Sequence, residues 1–221
     1  LAGVLLLGPR YGKYDESGNL RPIPGHSMVL VTLGTFILWL GWFGFNAGSA
    51  LGVDASVPRI AVVTTLAACA GGVSATCLAW YRLGKPDLSM SLNGILAGLV
   101  AITAPCAVVR LSAAVPIGSI AGCLVVLAVP CFDRLKLDDP VGALSVHLVG
   151  GVWGTLAVGF FASPELRLAG GVQESFGLIY GGGTHLLGAQ FLGVFAVAAF
   201  TFSSSLALWA VLKRWIGIRV S

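Results

Sequence analysis

Residues 138–154 read DDPVGALSVHLVGGVWG. After two aspartates and a proline, everything in this stretch is apolar or small except Ser145 and His147. A polar ring in such surroundings is costly unless a partner uses it. Two uses fit the residue type: a hydrogen bond to a neighbouring helix, or a polar waypoint inside an otherwise dry path. Neither i+3 nor i+4 carries a second histidine, so a local metal pair is not expected. A second constellation lies in LGTFILWLGWFGFNAGSALG, where Leu38, Trp42, Phe45 and Ser49 follow i, i+4, i+7, i+11 and share one helical face. That stripe reads either as a packed aromatic core or as a narrow apolar passage. In the passage reading Phe45 is the constriction, Trp42 a wall beneath it, and Ser49 a hydroxyl at the outer end. Asn46 reads as a helix–helix hydrogen-bonding group, and Gly44 with Gly48 as a small pair that admits a neighbouring helix.

Other chemistry is thinly represented. His26 and His185 fall in loops and read as solvated. The string YGGGTHLL lacks the Lys-Ser/Thr and the preceding strand of a phosphate loop, and reads as an outer loop entering the last helix, with Gln190 helping to dock that helix. Five cysteines show no C-x-x-C spacing and read as small packing residues. With no Ser–His–Asp set, redox motif or nucleotide fingerprint, the sequence argues against an enzyme and calls for no cofactor or metal. A net charge of +4 is too small to argue for nucleic acid. Asp139 is expected as N-cap and Pro140 at the first helical position, so this pair serves helix entry, with Asp138 and Asp139 interacting with basic loop residues.

The elements that must hold these groups are membrane helices. Of 221 residues, 57% are hydrophobic and only 10% charged, against about 25% charged in soluble domains. Mean hydropathy is +0.92. Crossing a hydrocarbon core takes about 20 helical residues, and six stretches qualify: 28–51, 59–81, 90–109, 113–132, 141–162 and 186–212. The third is the weakest, because Pro105 and Pro116 bracket a polar break at Arg110. Residues 1–8 read as the end of a further helix begun upstream. If the helices alternate, Arg10, Lys13, Arg21, Arg82, Lys85, Arg134, Lys136, Lys213, Arg214 and Arg219 share one side. Arg59, Arg110 and Arg167 share the other, so the positive-inside rule puts the first loop and the C-terminus in the cytoplasm.

Taken together, GTFILWLGWFGFNAGSA (34–50) and DDPVGALSVHLVGGVWG (138–154) resemble the ammonium transporter (Amt/MEP) family, within the Amt/Rhesus superfamily. GILAGLVAITAPCAVV (94–109) and GAQFLGV (188–194) match in order. The likeness covers residues 1–221 as one partial membrane domain, from the end of the family's fifth helix through its eleventh. It implies an all-α integral membrane fold, here the second inverted repeat plus the final helix, with the pathway at the repeat interface. By resemblance Phe45 belongs to the outer gate, Ser49 helps receive ammonium above it, and Trp42 and Leu38 line the pore. His147 matches one of a pair of histidines, and its partner is expected about two turns before Leu1. Half a pore is therefore expected, and residues 1–221 are not expected to transport by themselves.

The resemblance further implies a homotrimer in the plasma membrane, a lipid environment and, in prokaryotic members, a cytoplasmic regulator of the PII type. Its mechanism has ammonium received by aromatic faces and hydroxyls, deprotonated near the outer gate, and passed as ammonia along the histidines. A Rhesus-type channel for ammonia or carbon dioxide is the alternative within transport, disfavoured by the GWFGFNAGSA string. An ammonium sensor of the same fold is the alternative outside it.

Overall fold

The computed structural model describes residues 1–166 and 175–219. It is helical throughout; among the described residues no strand forms, only an isolated antiparallel bridge between Tyr14 and Leu20. The helices are α1 (Ala2–Leu7), α2 (Met28–Asn46), α3 (Ser56–Leu83), α4 (Leu88–Thr103), α5 (Leu111–Arg134), α6 (Val149–Phe161) and α7 (His185–Trp215). A π turn, Leu144–Leu148, leads into α6, and short 3-10 turns cover Gly48–Ala50 and Leu178–Tyr180. Among the described residues five helical segments are long and apolar enough to cross a membrane, Met28–Ala50, Ser56–Leu83, Leu111–Arg134, Leu144–Phe161 and His185–Trp215.

Local signals set the boundaries. Ser27 caps α2 by accepting the Leu30 N–H at 3.3 Å, and Asp87 caps α4 by accepting the Met90 N–H at 2.8 Å. Gly84, with φ of 74°, closes α3 in the left-handed conformation that favours glycine.

The core is the trio α3, α4 and α5, whose contact surfaces are mostly alanine and glycine. Their backbones come so close that a methyl group on Gly98 or Gly118 would overlap the carbonyl of Ala67. In a bilayer, where lipid is as apolar as the side chains, this close packing is a main source of helix association. Helix α2 lies against α4 and α3, α6 against α4 and α5, and α7 against α6 and α1.

The third span differs from expectation. α4 ends at Thr103 rather than near 109, because Pro105 has no N–H to continue the ladder. The turn beyond it is satisfied from elsewhere. Arg59 donates to the carbonyls of Ala107 (2.7 Å) and Val109 (3.2 Å), and the Ser163 N–H donates to Val108 O at 2.8 Å. No described residue lies against Gly44 or Gly48.

Basic residues gather at one end. Arg10 grips Asp138 through Nε (2.8 Å) and Nη2 (2.9 Å), and the Arg10 N–H adds a third bond at 2.9 Å. Lys13 pairs with Asp133 at 3.1 Å. Lys213 donates to Leu6 O at 3.1 Å, and Arg219 to the carbonyls of Gly8 and Pro9. The first loop, the α5–α6 loop and the end of α7 therefore meet. At the opposite end, Arg110 pairs with Glu165 and lies 5.0 Å from the Tyr180 ring centre. Arg167, expected on that side, lies outside the described residues.

Candidate functional site

Three elements converge on an apolar groove of about 590 Å³. α2 supplies Leu38, Trp42 and Phe45, α4 supplies Val100 and Thr103, and the π turn with α6 supplies His147, Gly151 and Thr155. Leu38, Trp42 and Phe45 reach it because they share a face of α2. His147, Gly151 and Thr155 reach it at intervals of four.

The groove wall is fixed by few bonds. Trp42 Nε1 donates to Thr103 Oγ1 at 2.8 Å, and Thr103 donates onward to Leu99 O at 2.8 Å. The Trp42 and Phe45 rings meet edge to face, 6.3 Å apart at 75°. Asn46 is buried and donates to Thr64 Oγ1 at 3.1 Å, which ties α2 to α3 as the sequence indicated. The Asn46 Oδ1 atom is buried and has no partner among the described residues. His147 is exposed to the groove and makes no hydrogen bond with any described residue.

The structure thus brings together Leu38, Trp42, Phe45 and His147 from the expected set. Ser49 does not line the groove. It sits in the 3-10 turn just beyond Phe45, exposed, with its hydroxyl donating to the Phe45 carbonyl. Asp139 serves helix entry, but not as the expected N-cap. Its Oδ2 accepts the N–H groups of Leu144 (2.9 Å) and Ser145 (3.0 Å), five and six residues on. Pro140 lies in the turn before the helix, not at its first position, because the chain makes a further turn through Gly142 (φ 76°) before winding. His185 opens α7 rather than ending a loop, and it is exposed.

Thr103 and Val100 were not anticipated as lining residues. Gly151 and Thr155 line the groove as well, while Gly150 and Gly154 pack on α4. The signal was present in the four-residue spacing from His147. Thr103 offered a weaker one, a hydroxyl in an apolar span. Among the described residues no metal-ligating cluster occurs. With the indole N–H occupied, the groove offers π faces and an imidazole with no hydrogen-bond partner among the described residues, a surface suited to a small cation or its neutral conjugate base.

A model of the Ammonium Transporter Family matches residues 1–221. The chain belongs to the ammonium transporter family. Among curated relatives in this family, it is 48% identical over 225 residues to ammonium transporter Amt2 of Archaeoglobus fulgidus, covering all of this chain and 47% of that protein. It is 39% identical over 204 residues to ammonium transporter 3 of Dictyostelium discoideum, covering 87% of this chain and 46% of that one. Among solved structures, one described as a Sensor Amt Protein superposes with a TM-score of 0.90 at 39% identity, over all of this chain and 52% of that one. Mep2 of Saccharomyces cerevisiae superposes with a TM-score of 0.89 at 30% identity, over all of this chain and 49% of that one. The chain spans about half the length of the relatives it matches. The all-helical membrane architecture is that of the Amt/Mep transporters.

Proposed function

We propose that this chain forms one wall of an ammonium-conducting pathway, with the groove between α2, α4 and α6 as its share of that pathway. One observation carries the reading: the imidazole of His147, which has no hydrogen-bond partner among the described residues, lies in the same apolar groove as Trp42 and Phe45. Ammonium meets the π faces and the Ser49 hydroxyl at the outer end, where cation–π contact and hydrogen bonding offset lost hydration. Carrying the bare ion further through an apolar groove is very costly. The ion therefore gives up its proton to water near Phe45. Ammonia passes Trp42, Leu38 and His147, where the imidazole offers a hydrogen bond. The proton crosses separately by way of that imidazole, so uptake carries charge. Potassium has no proton to release and is rejected by the same desolvation. The working protein is a homotrimer in the plasma membrane, surrounded by lipid, with the first loop and C-terminus cytoplasmic. In a prokaryote that face also receives a PII-type regulator.

The test is His147→Ala in the protein as the cell makes it, reconstituted in liposomes. Ammonium-evoked current or its selectivity over potassium is expected to change sharply while assembly persists. Unaltered rate and selectivity in a folded variant would reduce His147 to packing.

A second reading, sensing rather than bulk transport, is favoured by the likeness to the Sensor Amt Protein. Saturable ammonium binding without current in the same liposomes would support it over transport.

A further inference from the structure

The residues that carry His147 do not wind as an α-helix. Leu144–Leu148 form a π turn, and the chain becomes α-helical only from Val149. Isolated π turns are rare and concentrate at functional sites. Their wider winding advances each side chain by less than the 100° or so of an α-helix. Relative to α6, the imidazole therefore points elsewhere than it would on an unbroken helix.

One carboxylate holds this turn. Asp139 Oδ2 accepts the N–H of Leu144 at 2.9 Å, the N–H of Ser145 at 3.0 Å and the Ser145 hydroxyl at 3.2 Å. Ser145 is 1% exposed, and its hydroxyl has no other partner among the described residues. The acceptor is itself fixed by its neighbours. Asp138 is clasped by Arg10, and Gly142 lies against the side chain of Asn93 on α4. Val146 N–H bonds to Gly142 O at 2.7 Å, so the turn is anchored by both side chain and backbone.

We propose that Asp139, acting through Ser145, is a positioning residue for His147: its bonds to residues 144 and 145 hold the π turn and so aim the imidazole along the groove. The consequence for transport rests on the pore reading above; the consequence for the ring does not. Neither Asp139 nor Ser145 lines the groove, so any effect on the imidazole travels through the turn.

The test uses Asp139→Ala, Asp139→Asn and Ser145→Ala in the protein as the cell makes it, labelled with nitrogen-15 histidine and reconstituted in liposomes. His147 ring signals are identified by their loss in His147→Gln. Asp139→Ala is expected to shift both ring-nitrogen resonances and move the pH profile of uptake. Misplacing a reacting group by about 1 Å costs up to about a hundredfold, so uptake is expected to fall roughly ten- to a hundredfold. Ser145→Ala shifts the resonances less. Asp139→Asn keeps an oxygen for the two backbone donors and restores the wild-type signals. Unchanged His147 resonances in folded Asp139→Ala overturn the proposal. If that variant does not fold, unchanged resonances in Ser145→Ala overturn it. If His147→Gln leaves uptake intact, the pore reading falls, while the ring signals still decide the positioning role.

Discussion

Trp42 and Thr103 form a bond that neither helix specifies alone. The indole N–H donates to the Thr103 hydroxyl, which passes its own proton to Leu99 O. Thr103→Val leaves the indole donor without an acceptor on a wall where water is scarce. Such an orphan costs about 1–3 kcal/mol. Trp42→Phe removes the donor itself, so adding Thr103→Val on that background should cost clearly less than on the wild type. Thermal unfolding of the four proteins in detergent measures the difference. Strict additivity would show that the bond contributes nothing. The α2 face was legible from spacing, since Leu38, Trp42 and Phe45 recur at helical intervals. Thr103 was not, because its partner lies 61 residues away on another helix and no periodicity links them.

Between helices, the same residue type has opposite meanings. Gly98 and Gly118 face the Ala67 carbonyl across the α3–α4–α5 core, whereas no described residue lies against Gly44 or Gly48. Gly98→Ala or Gly118→Ala is expected to destabilise by overpacking, about 1–3 kcal/mol or more. Gly44→Ala should be neutral in this fold or improve α2, since glycine within a helix costs about 1 kcal/mol against alanine. Yield and melting temperature after extraction distinguish the pairs, and equal loss at Gly44 and Gly98 would contradict the packing described. Sequence spacing reveals that small residues recur but not which way they point, so it does not separate Gly150 and Gly154, which pack on α4, from Gly151 and Thr155, which line the groove. The π turn was likewise hidden. Asp139 reaches forward to the N–H groups five and six residues on, and pattern reading assumes a uniform helix. Five of the six expected spans were legible because lipid imposes long apolar runs; α4 falls short of a span, its early end reflecting Pro105 and the reach of Arg59.

Across the whole molecule, charge marks the two ends. Lys85 and Lys136 lie at the basic end with the first loop, and Arg110 lies at the other. Single cysteines at positions 85 and 136, in a background without the five native ones, should resist an impermeant thiol reagent in intact cells. A cysteine at 110 should react. Strong labelling at 85 or 136 would invert the topology. The Arg10 clasp also makes the basic end acid-sensitive. Its hydrogen bonds hold the Asp138 carboxyl below the usual carboxylate range, against burial, which acts the other way. With the folded value below the unfolded one, this stabilisation is complete above the unfolded carboxylate pKa of about 3.9. It is lost as pH falls through the depressed folded value. Asp138→Asn should therefore cost about 1.5–3 kcal/mol at neutral pH. Its deficit against wild type should shrink below about pH 4, as read by unfolding at both pH values.

α4 and α7 serve the same bilayer at very different lengths. At 1.5 Å per residue, the 16 residues of α4 span about 24 Å and the 31 of α7 about 46 Å. A hydrocarbon core is about 30 Å thick, so α4 is too short for it and α7 too long. The first shortfall is covered where Arg59 ties off the carbonyls beyond Thr103; the second is absorbed by leaning or by projecting into the headgroups. Bilayer thickness then becomes a lever on the groove. Longer acyl chains should straighten α7 and pull the Thr103 end of α4 into lipid, while shorter ones should tilt α7 further and leave α4 undisturbed. Since Thr103 at that end anchors Trp42, thick membranes should disturb the groove before thin ones do.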